Sequence, residues 1–213
     1  MNETRKRRKD LNQTEFLSWL LDSHPMRRLP GQKHLYSNIG YIFLGRIIEV
    51  LSERTYEEFV RQEIFQPLNF SARIGRKQRN NRQDFEVSYY SPDNANPYFN
   101  WDPERMDSAA GWVLSASEIA MLMYDLASKR ETGQYSLLWH PSERRADYGR
   151  GLQLAPEPGT AYHLGSIAGT ESIAFCAPNF ALGIIINMRG AQENYLTHWM
   201  HRIATLLRIR YLH

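Results

Sequence analysis

Between residues 151 and 188 the chain carries four short apolar segments, 151–154, 161–164, 172–176 and 182–188, separated by little more than Pro-Gly, Ala-Gly and Pro-Asn turn signals. Connections this short leave no room for a crossover helix, so successive segments must run antiparallel. Upstream the apolar period is helical. Phe16, Leu17, Leu20 and Leu21 follow Thr14, a candidate N-cap, and Pro25 and Pro30-Gly31 end that run. Ile39, Phe43, Ile47 and Val50/Leu51 form one stripe behind Ser37 or Asn38 as the cap. Thr55-Tyr56-Glu57-Glu58 and Ser115-Ala116-Ser117-Glu118 read as capping boxes opening two more helices. The stretch 73–105, rich in Asn, Asp, Arg and Pro, reads as a surface excursion, a loop or lid. A closing amphipathic helix over about 193–208, with Leu196, Trp199, Met200, Ile203 and Leu207, suits one face of the sheet. The expected architecture is α+β: an antiparallel sheet flanked by helices.

Composition bears on partners more than on fold. At 213 residues with 42% hydrophobic and 12% aromatic side chains, the chain has enough apolar surface for one core. The net charge of +3 is concentrated in Arg5-Lys6-Arg7-Arg8-Lys9, and the remainder is slightly acidic. Residues 1–12 are read as a basic, solvated tail and 13–213 as the domain. Five tail cations are too little to indicate a nucleic-acid binder. A single cysteine, Cys176, excludes an intrachain disulfide and a cysteine-based metal site, and its apolar neighbours mark a buried small hydrophobe. His198-x-x-His201 has no third ligand nearby, so no metal is expected. Gly149-Arg150-Gly151 opens no helix and is not a phosphate loop. No stretch of eighteen apolar residues and no apolar run behind the N-terminal charges are present, so neither a membrane span nor a signal peptide is expected. The compartment is not fixed by these features.

Two motifs carry chemistry. In Tyr36-Ser37-Asn38 a phenol and a carboxamide stand two residues apart. A phenol near positive charge serves as a base, and the carboxamide offers an amide substrate both a donor and an acceptor. Read alone, Tyr36 is a loop aromatic and Asn38 a helix cap. The stretch from Pro30-Gly31 through Tyr36-Ser37-Asn38-Ile39-Gly40-Tyr41 to Glu49, continuing through Tyr56-Glu57-Glu58-Phe59 to Pro67-Leu68, resembles class C β-lactamases, related esterases and DD-peptidases. The resemblance implies that Tyr36 moves a proton at the nucleophilic serine and that Asn38 binds substrate. Tyr162-His163-Leu164-Gly165-Ser166 resembles the family's opposite wall, Lys-Thr-Gly or His-x-Gly. It places His163 at the cationic or hydrogen-bonding position, Gly165 where substrate approaches the backbone, and the Ser166 N–H at the oxyanion. Leu164 replaces a small or hydroxylated residue, with loss of a substrate hydrogen bond. Met106-Asp107-Ser108-Ala109-Ala110-Gly111-Trp112 resembles an architectural turn of the family.

The family nucleophile is absent from these residues. In Ser-x-x-Lys the lysine, one helical turn on, takes the serine proton. The lysines are Lys6, Lys9, Lys33, Lys77 and Lys129, and three residues before them stand Glu3, Lys6, Pro30, Ile74 and Leu126. No Gly-x-Ser-x-Gly elbow occurs either. The resemblance therefore implies a β-lactamase/transpeptidase-like domain without its N-terminal part. Such a chain is expected to need no cofactor, to take ester or amide substrates, small or peptidic, only when complemented, and to be inactive alone. The other expectation is a non-catalytic binding or scaffold protein that keeps the cleft. An uncovered sheet edge would favour self-association.

Overall fold

The structure, a computed structural model, describes residues 8, 10–24, 28–77, 85–91, 102–188, 202 and 205–206. Most of the basic run and of the closing helix expected at 193–208 lie outside the described residues. Helix α1, Gln13–Ser23, begins two residues earlier than an N-cap at Thr14 would set it, because Asn12 and Glu15 form a reciprocal capping box. Arg8 pairs with Asp10, lies over the Trp19 ring at 5.5 Å and accepts a bond from Arg105 at its carbonyl. Helix α2, Asn38–Ser52, is capped by Ser37, whose Oγ accepts from the Gly40 N–H at 3.1 Å. Helix α3, Tyr56–Val60, starts at the expected Thr55/Glu58 box and runs on as a π-turn, Arg61–Phe65.

The segment 73–105 contains regular structure that its composition hides. Strand β1, Arg73–Ile74, pairs antiparallel with β2, Trp112–Val113, and α4, Pro103–Met106, leads into a 3-10 turn, Asp107–Ala109. Only contacts distant in sequence specify such short pieces. Asp107 is buried and accepts from Arg46 Nη2, from Gln13 Nε2 at 3.0 Å and from Ser108, which ties α1 and α2 to this turn. The Met106–Trp112 motif is thus an anchor for α2. Helix α5, Ala116–Ser128, opens at the Ser115/Glu118 box, and α6, Ser136–Trp139, follows a 3-10 turn at Gly133–Tyr135.

The antiparallel meander is present: β3 Gln153–Leu154, β4 Ala161–Ile167, β5 Thr170–Ala177 and β6 Phe180–Ile186, in spatial order β3-β4-β5-β6. β4 and β5 are longer than their apolar cores suggested, because the ladder carries Gly165, Ser166 and Glu171 as well. Directly opposed residues share a face. The row His163–Ala174–Gly183 faces α5, since a Cβ on Gly183 would enter the Ala116 carbonyl oxygen and lie 3.0 Å from Ala120 N. Ala161 and Cys176 share that face and pack with Met123, Ala127 and Leu152. The other face gathers Ile173 and Phe175 with Tyr162, Leu164, Leu182, Ile184 and Ile186.

Candidate functional site

One wall of the site grows from a helix start. The Ser37 hydroxyl caps α2, so the Asn38 carboxamide is not consumed by the cap and Asn38 stands at the helix's first position. Tyr36, in the extended segment before it, is 62% exposed. The helix itself is held by Arg46, which binds both Asp107 and Glu49.

The other segment is strand β4, which pairs with β5 along its whole length and with β3 only at Ala161 and Tyr162. His163 lies opposite Ala174 in mid-β4, partly buried, on the face turned to α5. Burial pushes its pKa below the ordinary 6.5, which favours the neutral imidazole. Gly165 lies opposite Ser172, and any Cβ there would collide with the Ser172 hydroxyl. Ser166 is exposed opposite Glu171, a buried carboxylate whose Oε2 has no hydrogen-bond partner. Leu164 has a packing role. It points to the face away from His163 and packs against the Ile173/Phe175 cluster, so its replacement of a hydroxylated residue serves packing.

Tyr148 joins the walls, and the sequence did not single it out. Its ring lies 5.1 Å from that of His34, and its side chain stands near Tyr41. Tyr41 titrates well above its ordinary range, first because of burial and then because of the neighbouring Tyr148 side chain. The adjoining Arg144 donates through Nε to the Gly31 carbonyl. On the opposite side Tyr148 bridges Gln153, which pairs with Tyr162, the residue before His163. Asp147, held low in pKa by the Arg145 side chain, receives the Leu154 N–H on its carbonyl at 2.9 Å. The loop bearing Tyr36 and Asn38 is thereby fastened to the strand pair bearing His163, Gly165 and Ser166. The signal in the sequence was a tyrosine followed at once by Gly149 and Gly151, the latter at φ +99° beside the Tyr41 hydroxyl.

Among the described residues no group of three His, Cys, Asp or Glu is placed to hold a metal ion. None of their helices is long and apolar enough to cross a membrane.

The family model for β-lactamase matches residues 3–206, nearly the whole chain. The chain belongs to the β-lactamase family. The fold agrees. Over 96% of the chain it superposes on a penicillin-binding protein from Bacillus halodurans with a TM-score of 0.73 at 19% identity, covering 68% of that protein. It superposes on D-amino acid amidase from Ochrobactrum anthropi SV3 with a TM-score of 0.67 at 21% identity, over 96% of the chain and 66% of the amidase. In sequence it is 34% identical over 47 residues to a putative D-alanyl-D-alanine carboxypeptidase of Escherichia coli K12. That match spans 22% of this chain and only 11% of the carboxypeptidase, so most of the relative's length has no counterpart in the alignment.

Proposed function

We propose that this β-lactamase-family chain supplies the substrate-holding walls of an acyl-transfer cleft without the attacking serine. Tyr36 is the proton-moving phenol and Asn38 the carboxamide that hydrogen-bonds a substrate amide. His163 is a neutral hydrogen-bonding partner on the facing strand, Gly165 clears the backbone for the substrate, and the Ser166 N–H is an oxyanion donor. The observation that carries this reading is the tie from the segment before Tyr36, through the His34–Tyr148 ring contact and the Arg144–Gly31 hydrogen bond, to the β3–β4 pair. The substrate class is an ester or amide of an amino acid or peptide, in keeping with the amidase and penicillin-binding protein whose folds this chain shares.

Without Ser-x-x-Lys no acyl-enzyme forms on these 213 residues, and the chain by itself acts at most as a binding module. The test is intact-mass spectrometry after incubation with a fluorescent penicillin and with an activated ester, alongside hydrolysis of both. Unchanged mass and background hydrolysis are expected. A stoichiometric acyl adduct would refute the inactive reading. A complementing polypeptide that carries Ser-x-x-Lys should restore labelling in this chain's presence, and Tyr36→Phe should abolish the restored turnover. Failure of every such complement to restore labelling, with ligand binding retained, would favour a stand-alone binding protein.

A further inference from the structure

The hairpin that carries Ser166 also carries a charge that the fold leaves unmet. Strands β4 and β5 close on Ala168-Gly169, with Ile167 opposite Thr170 as the last pair and Gly169 at φ +80°. A two-residue turn is closed by a hydrogen-bonded pair, and such pairs alternate along the ladder with non-hydrogen-bonded ones. Ser166 and Glu171 are therefore a non-hydrogen-bonded pair, the kind whose Cα atoms stand about 4.5 Å apart and whose side chains lie closest. By the same parity the Ser166 N–H points away from β5, towards the edge of β4 where β3 pairs only with Ala161 and Tyr162.

Glu171 is only 7% exposed, and its Oε2 is buried without a hydrogen-bond partner. It lies in the row Ser166–Glu171–Ile186, and the next row on that face is Leu164–Ile173–Ile184, so its neighbours on the sheet are apolar apart from the Ser166 hydroxyl. Thr170 Oγ1 donates to the Ile186 carbonyl at 2.9 Å, which fixes this end of β5. A carboxylate is costly to bury in such surroundings unless a cation meets it. The exposed member of the pair is Ser166, so a ligand held at its N–H arrives beside the Glu171 side chain.

We propose that Glu171 determines specificity in the cleft by pairing with an ammonium group of the substrate, an assignment that rests on the reading of the Ser166 N–H as the oxyanion donor. In an ester or amide of an amino acid the α-ammonium is two bonds from the carbonyl carbon. With the carbonyl oxygen on the Ser166 N–H, that ammonium falls within reach of the side chain directly opposite Ser166. Leu164 points the same way independently. It shares the face of Glu171, packs against Ile173 and offers no hydroxyl to a substrate carboxylate, and Glu171 repels one. The favoured substrates are thus amino acid or peptide esters and amides with a free amino group beside the scissile carbonyl. N-acylated substrates lose this pairing, and substrates with a carboxylate there are rejected.

Titration of the whole chain with phenylalanine amide and with N-acetylphenylalanine amide at low ionic strength, followed by amide chemical shifts, tests it. Both ligands should move the Gly165 and Ser166 signals, and the charged amide should bind roughly tenfold tighter. Glu171→Gln keeps the shape of the side chain and should make the two affinities equal, whereas Glu131→Gln, at an exposed carboxylate, should keep the preference. Glu171→Gln should also melt no lower than the parent, because a buried unpaired charge is removed. Equal affinities in the parent chain, or a preference that survives Glu171→Gln, would overturn the assignment and leave the cleft reading in place. A Glu171→Gln chain that melts well below the parent would give Glu171 a structural role and overturn it as well. Binding of neither amide at 163–166 would overturn both.

Discussion

The two segments assigned to the proposed cleft are held by different means. The His163 segment sits in a ladder with β5, itself paired to β6, and has α5 across its face, so its order comes from backbone pairing that many residues share. The Tyr36 wall is an extended segment fixed at separate points: the Ser37 cap, the Arg46–Asp107 anchor behind α2, and Tyr148 with Arg144 in front. A shared ladder spreads the cost of any one change, whereas point fixings give up order one at a time. The strand wall should therefore fail only with the sheet, and the loop wall should loosen by degrees.

The largest expected effect strikes the strand wall where it has no slack. Gly183→Ala must drive α5 off the sheet, because the new Cβ meets the Ala116 backbone. A loss of about 3 kcal/mol is expected from the urea midpoint at unchanged m-value. Next, Asp107→Ala leaves the Arg46 guanidinium partly buried without its main partner and should cost about 2 kcal/mol. Its signature sharpens the contrast: amide exchange should accelerate over 38–52 and stay unchanged over 161–177. If both regions respond alike, the walls are not independent. Ser37→Ala removes one cap and should cost about 1 kcal/mol in thermal unfolding, with fraying confined to the first turn of α2.

The smaller effects are read best by titration. Tyr148→Phe should lower the titration of Tyr41 toward its ordinary 10.0, seen in the ultraviolet phenolate band, and leave global stability within about 1 kcal/mol. Burial still holds Tyr41 above that value. For His163 the unfolded chain binds the proton more readily than the folded one, so stability rises with pH up to the ordinary 6.5. As pH falls below 6.5, the folded state loses stability until its own lower pKa is passed. In His163→Gln this contribution vanishes, and denaturation midpoints of parent and variant should converge in the variant's favour as the solution is acidified from pH 7. A difference independent of pH would place the imidazole in water.

Local features were the legible ones. Asn12/Glu15, Thr55/Glu58 and Ser115/Glu118 declare helix starts within four residues, although the first was read two residues late at Thr14. The antiparallel meander followed from turn spacing alone. The outward direction of Leu164 was also legible, because a period of two sets it opposite His163. β1, β2 and α4 were not, since their residues are polar or few and their partners lie far along the chain. The same holds for Tyr148. It touches a residue more than a hundred positions away, and the glycines that follow it mark a turn without naming that partner.

The account rests on Tyr36 and His163 facing one cleft, and a nitroxide placed on the loop wall tests this most directly. Leu35 is 58% exposed and Cys176 is buried, so Leu35→Cys can be labelled alone. Paramagnetic broadening is predicted to be strong for the His163 imidazole and the Gly165 and Ser166 amides, and weak for β6 beyond Gly183. Sharp, unaffected signals from 163–166 with broadening elsewhere would contradict it.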